Sequence, residues 1–250
     1  MDQPIFNPQG ERIDYTFRSG AGEAAGEGWL VLLGHGVTGN KDRPLISELA
    51  EALNAAGFDT LRFSFAGNGE SGGDFREATI SKETDDLAAI VDGVSAGYSK
   101  IAYIGHSMGG AVGVLQAARD PRIRCLVSIA GMVDTKTFAM TEFGDVEPDS
   151  GVMWEDDECP LSSAFMTDLC ETVGSVAPRV AAVQCPWLLV HGTADDVVRP
   201  GDTETVRSLR GDAVDVCVVD GADHSFNEPR HRALVLASVV EWLSGQAVNG

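Results

Sequence analysis

The feature of this chain that most restricts its fold is an alternation. Short aliphatic or β-branched runs take turns with longer stretches in which apolar residues recur at helical spacing. The runs are Trp29 to Leu33, Thr60 to Phe65, Lys100 to Ile104, Arg124 to Ala130, Trp187 to His191 and Asp215 to Val219. Strands that are apolar on both faces need cover on both, and helices between successive parallel strands supply it. The expected fold class is therefore α/β, a mostly parallel central sheet flanked by helices. Arg12 to Arg18 instead alternates apolar and polar residues, which suits an antiparallel edge strand. Among the helical stretches, Arg43 to Ala56 places Leu45, Leu49, Ala52 and Leu53 on one face and is followed by Gly57. Ser81 to Val94 opens with Ser81 as cap and carries Leu87, Ile90, Val91 and Val94 as its stripe. Arg230 to Leu243 presents Leu234, Val235, Val239 and Trp242. With 250 residues, 44% of them apolar, residues 1–250 are expected to form a single domain around one large core.

One segment breaks the rhythm. Residues 135–183 contain no strand-like run and turn acidic, with Glu155, Asp156, Asp157 and Glu158 consecutive. A plain surface loop would not carry Phe138, Met140, Phe143, Met153 and Trp154, so the segment reads as a cap or lid inserted over the sheet. Pro160 is the expected start of a helix there, continuing through Leu161, Phe165, Met166, Leu169 and Val173.

Charge and cysteine content narrow the partners. A net charge of −20 opposes binding to nucleic acid or to anionic membranes, because either surface would add repulsion instead of releasing counterions. Five widely spaced cysteines without a CxxC pair read as free thiols rather than a zinc or redox site, with a Cys159–Cys170 bridge as the alternative. The N-terminal thirty residues have neither a basic start nor an apolar run. A cytoplasmic location is expected, and a homodimer is compatible with the sequence without being required by it.

The chemistry concentrates at Gly105-His106-Ser107-Met108-Gly109, between the strand-like KIAYI and the helix-compatible MGGAVGVLQAA. The five-residue pattern is weak by itself, and its place between strand and helix gives it weight. A serine on such a turn is held in strained backbone angles, and glycines on either side let the chain pass closely. The N–H of Met108, at a helix N-terminus, points toward the oxygen that becomes negative when Ser107 attacks a carbonyl. A second donor is expected from the loop Gly34-His35-Gly36-Val37-Thr38-Gly39-Asn40, and the N–H of Val37 is assigned to it. Neither this loop nor Phe65 to Gly73 has the GxxxxGKS/T or GxGxxG spacing of a nucleotide site.

A serine hydroxyl needs an imidazole to take its proton and a carboxylate to orient that imidazole. His224, in a loop after the last strand, is the candidate base. His35 is read as bracing its turn, His191 as a packed, hydrogen-bonded residue at a strand end, His106 as packing beside the turn, and His231 as solvent-facing. For the carboxylate, Asp195 is preferred, with Asp196 and Asp223 left as alternatives. No metal site is called for, and no cofactor.

Taken in order, LLGHGVTGNKD, FSFAGNGESGG, IGHSMGG, HGTADDVV and GADHSF resemble the α/β-hydrolase superfamily, especially its serine aminopeptidase-like or esterase branch, which includes bacterial cinnamoyl and feruloyl esterases. The resemblance runs from Trp29 to the last helix. It implies Ser107, Asp195 and His224 as a catalytic triad, Val37 and Met108 as backbone donors of an oxyanion hole, and a cap between the sixth and seventh core strands. The activity it implies is cleavage of a small-molecule carboxylic ester, and the apolar and aromatic residues of the 135–183 segment suggest a small, hydrophobic or aryl acyl group. An aminopeptidase, amidase or thioesterase using the same residues is the alternative within the family. A hydrolase-like ligand receptor without catalysis is the alternative outside it.

Overall fold

The computed structural model describes residues 3–21 and 28–249. Eight strands form one sheet: β1 (Ile5–Phe6), β2 (Arg12–Arg18), β3 (Trp29–Gly34), β4 (Asp59–Ser64), β5 (Lys100–His106), β6 (Ile123–Ile129), β7 (Trp187–Gly192) and β8 (Asp215–Val219). Their order is β1-β2-β4-β3-β5-β6-β7-β8, with β3 to β8 parallel and β2 antiparallel to β4. This is the α/β-hydrolase arrangement. Arg12–Arg18 is antiparallel as expected but does not form the edge. The two-residue β1, too short to register as a pattern, pairs outside it.

The helices are α1 (Pro44–Ala55), α2 (Ile80–Val94), α3 (Met108–Ala117), α4 (Thr135–Phe143), α5 (Ser163–Thr167), α6 (Ala177–Val180), α7 (Gly201–Arg210) and α8 (Pro229–Asn249). The sheet separates two apolar clusters. One is built from the stripes of α1 and α8, Leu45, Leu49, Leu53, Val235, Val239 and Leu243, against Val31, Leu33 and Ile104. The other joins Leu87, Ile90 and Val91 of α2 and Val112 of α3 to Leu30, Leu32 and Tyr103. Full burial of one such aliphatic side chain contributes about 1.5–3 kcal/mol, so the sheet is fixed from both faces.

Three local expectations need correction. The cap of α2 is Thr79, whose hydroxyl accepts from the Lys82 N–H, and Ser81 is the second residue of the helix. On α8, Leu234 is exposed while His231 is buried. His231 stands four residues before Val235 and so falls on the same inward stripe. Pro160 opens no helix. It bridges Val152, and α5 starts at Ser163 under Ser162, whose hydroxyl accepts from the Phe165 N–H.

Between β6 and β7 the chain runs through α4, a single turn at Met153–Glu155, α5, a π-helical turn at Asp168–Val173, and α6. Phe138, Phe143, Phe165 and Trp154 meet there ring to ring, with centroid separations from 4.9 to 6.5 Å. Asp168 ties the segment to α2 by accepting from both the N–H and the hydroxyl of Ser81. All five cysteines are free thiols, Cys159 and Cys170 included. Among the described residues no helix is long and apolar enough to cross a membrane.

Candidate active site

Parallel strands end at the same edge of a sheet, and the loops leaving β3, β5, β7 and β8 meet there. The last residue of β5 is His106, and the chain turns into α3 through Ser107 with φ 55° and ψ −120°. That positive φ is unfavourable for a residue with a side chain. It is held by hydrogen bonds from the Ser107 N–H to the Ile129 carbonyl (2.9 Å) and from the Met132 N–H to the Ser107 carbonyl (3.1 Å). The crossing of strand and helix is so close that a Cβ at Gly105 would lie 2.1 Å from the Gly109 carbonyl oxygen.

Ser107 Oγ lies 3.0 Å from His224 Nε2, and His224 Nδ1 lies 2.9 Å from Asp195 Oδ2. A carboxylate only accepts, so Nδ1 carries the imidazole proton and Nε2 is free to accept the serine proton. Asp195 is buried and Asp196 exposed. Asp195 Oδ1 accepts from the N–H groups of Val197 (3.0 Å) and Val198 (2.9 Å), so the carboxylate orientation is fixed from behind. Burial alone would raise the Asp195 pKa. Hydrogen bonds from His191 and His224 outweigh it and hold the carboxyl well below the usual range. Asp223, the third carboxylate considered, is engaged with the Asn227 N–H and side-chain amide.

Two histidines do more here than their sequence positions suggested. His191 Nε2 donates to the Val198 carbonyl (2.8 Å) and lies 3.2 Å from Asp195 Oδ2, while Nδ1 accepts from Thr203 (2.7 Å). It is a second donor to the carboxylate that orients His224. His106 Nε2 donates to the His224 carbonyl (3.0 Å), and the two rings stand 4.9 Å apart. Burial, with the neighbouring His224, lowers the His106 pKa to about 3, so the ring stays neutral and clamps the base-bearing loop. A histidine next to the serine was the only signal for this role in the sequence.

The loop after β3 packs directly onto the serine. A Cβ at Gly36 would lie 2.7 Å from Ser107 Cβ. Val37 follows, and its N–H donates to no protein acceptor among the described residues. Met108 is the first residue of α3, where an N–H has no partner within the helix. Both assigned oxyanion donors therefore flank Ser107 uncommitted. His35 fastens this loop: its Nδ1 donates to the Gly36 carbonyl (2.8 Å) and its Nε2 accepts from the Phe65 N–H (3.0 Å). Burial lowers its pKa to about 4.

Above Ser107 opens a cavity of about 450 Å³. Trp154 reaches its rim from the β6–β7 segment, on a left-handed backbone (φ 49°) that no local sequence signal announces, and its Nε1 donates to Glu142. A larger cleft of about 530 Å³ lies among Trp29, Lys100, Arg124 and Cys185, at the opposite ends of the strands and away from these groups. Among the described residues no group of three or more His, Cys, Asp or Glu is placed to hold a metal ion.

Residues 27–147 match the family described as serine aminopeptidase, S33. The chain is similar to an uncharacterised 31.7 kDa Escherichia coli protein, 29% identical over 141 residues, which is 55% of this chain and 48% of that one. It is also similar to the mitochondrial palmitoyl-protein thioesterase ABHD10 of Bos taurus, 25% identical over 210 residues, 76% of this chain and 65% of that one. The chain thus spans about half to two thirds of the length of these curated relatives. Among solved structures, Est1E from Butyrivibrio proteoclasticus with ferulic acid bound superposes with a TM-score of 0.87 at 23% identity, covering 98% of this chain and 99% of that one.

Proposed function

We propose that this chain, which has the α/β-hydrolase fold and matches the serine aminopeptidase S33 family over residues 27–147, is a serine hydrolase cleaving carboxylic esters of small, hydrophobic or aryl acids, with Ser107 as nucleophile, His224 as general base and Asp195 as its orienting carboxylate. The observation that carries this reading is the unbroken line of contacts from Ser107 Oγ to His224 to Asp195, at 3.0 and 2.9 Å, at the floor of a cavity.

In the proposed reaction Nε2 of His224 takes the hydroxyl proton as Ser107 Oγ attacks the ester carbonyl carbon. The carbonyl oxygen becomes negative beside the N–H groups of Val37 and Met108, which bind it more strongly in this state than in the ground state. As the intermediate collapses, His224 passes its proton to the departing alcohol, leaving an acyl group on Ser107. A water, deprotonated by His224, then releases the acid. Asp195 keeps the imidazole in the tautomer that both steps use.

We read the β6–β7 segment as a cap that selects the acyl group, with Trp154 as its aromatic surface toward the cavity. The ferulic acid held by Est1E is an aryl carboxylic acid, which favours an aryl or apolar acyl group here as well. Thioester cleavage by the same residues is the second reading, favoured by the likeness to ABHD10. A panel of p-nitrophenyl esters of rising chain length, methyl ferulate, aminoacyl amides and an acyl thioester tests both. The ester reading expects the highest kcat/KM among oxygen esters. Preferred turnover of the amides or the thioester would overturn it.

A further inference from the structure

The cavity beside Ser107 has a charge unlike the rest of the protein. The chain carries 38 acidic against 18 basic residues. Yet among the described residues no carboxylate lines this cavity, and two arginines do, Arg43 and Arg232. The acidic run from Glu155 to Glu158 does not line it either, although Trp154 immediately before it does.

The two arginines differ in what they have left to offer. Arg232 has its charge paired and three of its five donors committed: its Nε meets Glu48 at 3.2 Å, and its Nη1 donates to the carbonyls of Phe226 (3.0 Å) and Asn227 (2.7 Å). Arg43 is exposed just before α1 and its side chain makes a single hydrogen bond, from Nη2 to the Thr38 carbonyl at 3.0 Å. It has no ion-pair partner among the described residues. A guanidinium has five N–H donors in one plane, so one whole edge of the fork remains for a ligand. The position is set by the oxyanion loop itself. Thr38 stands two residues beyond Gly36, at most about 7 Å of chain, and Gly36 touches Ser107.

We propose that the ester cleaved at this site carries a carboxylate on its acyl or its alcohol part, and that Arg43 is the residue that recognises it. This rests on the ester-hydrolase reading and narrows its substrate class. The carboxylates elsewhere on the surface do not cancel the effect. At physiological salt, charges more than about 8 Å away are largely screened, whereas a carboxylate docked on the guanidinium is in contact.

The test uses matched neutral and anionic substrates. For the acyl side these are p-nitrophenyl valerate and the p-nitrophenyl half-ester of glutaric acid. For the alcohol side they are ethyl butyrate and O-butyryl glycolate. In at least one pair the anionic member is expected to have the higher kcat/KM, by about fivefold, the scale of one well-formed ion pair at a partly open site, with the gain in KM. Arg43→Gln should bring that ratio to about one, and Arg43→Lys should retain part of it. Preference for the neutral member in both pairs, or a ratio that survives Arg43→Gln, overturns the proposal while leaving ester hydrolysis intact. Failure of the wild-type protein to turn over either member of either pair overturns the ester reading, and this one with it.

Discussion

Replacing Gly36 by alanine adds one methyl group and is expected to disable the site. The new Cβ would stand 2.7 Å from Ser107 Cβ and 3.2 Å from its Oγ. Carbon atoms in contact settle at about 3.5–4.0 Å, so either the loop carrying Val37 or the turn carrying Ser107 has to retreat by roughly 1 Å. The serine turn is held by its bonds to Ile129 and Met132 and by the close crossing at Gly105, so the loop is the part that yields. That withdraws the Val37 N–H from the reacting oxygen. A misplacement of about 1 Å costs about a hundredfold in turnover, or about 2.7 kcal/mol of transition-state stabilisation. The assay is kcat on p-nitrophenyl butyrate, with urea unfolding of the same preparation to show that the variant is folded. A folded Gly36→Ala protein with kcat within about threefold of wild type would refute the packing argument and, with it, the assignment of Val37.

Asp195→Asn should lower kcat by about three to four orders of magnitude, because an amide in place of the carboxylate can turn its N–H₂ toward Nδ1 and favour the wrong tautomer. Asp196→Asn, on an exposed side chain, should change kcat by less than about threefold, and the two rates side by side check the choice. The buried His35 predicts an acid-labile fold. Its folded pKa of about 4 lies below the ordinary 6.5, so the unfolded chain binds the proton first. The stability its neutral form contributes is complete above pH 6.5 and is lost as pH falls toward 4. Between pH 7.5 and pH 5 this amounts to about 2 kcal/mol, and His35→Gln, which can keep both hydrogen bonds without titrating, should lose that much less in urea unfolding. Equal losses in the two proteins would remove His35 from the acid limb.

Much of the site was legible because parallel topology turns order along the chain into proximity. Ser107, Asp195 and His224 each follow a strand of the same parallel sheet, so recognising the strands was enough to bring the three loops to one edge. What stayed hidden depends on contacts between elements rather than on patterns within them. Nothing near His191 in sequence announces that its ring reaches the same carboxylate oxygen as His224, since that follows from how the β7 loop folds back over Asp195. His231 reads as solvent-facing from a stripe of Leu234, Val235, Val239 and Trp242, whereas the buried stripe of α8 is His231, Val235, Val239 and Leu243. Thr79 and Ser81 are both good capping residues two positions apart, and the choice between them is made by Asp168, a residue of the distant β6–β7 segment that engages Ser81. The approach of Trp154 to the cavity depends on a left-handed backbone for which tryptophan has no preference.

The central claim is that Ser107 is an activated nucleophile, and covalent labelling tests it most directly. Wild-type protein treated with a fluorophosphonate at neutral pH should gain one adduct by intact mass, mapped by peptide sequencing to Ser107, with ester turnover falling in step. Ser107→Ala should take up none and should lose activity by several orders of magnitude. An adduct on another residue, or a Ser107→Ala protein that turns over esters at the wild-type rate, would contradict the account.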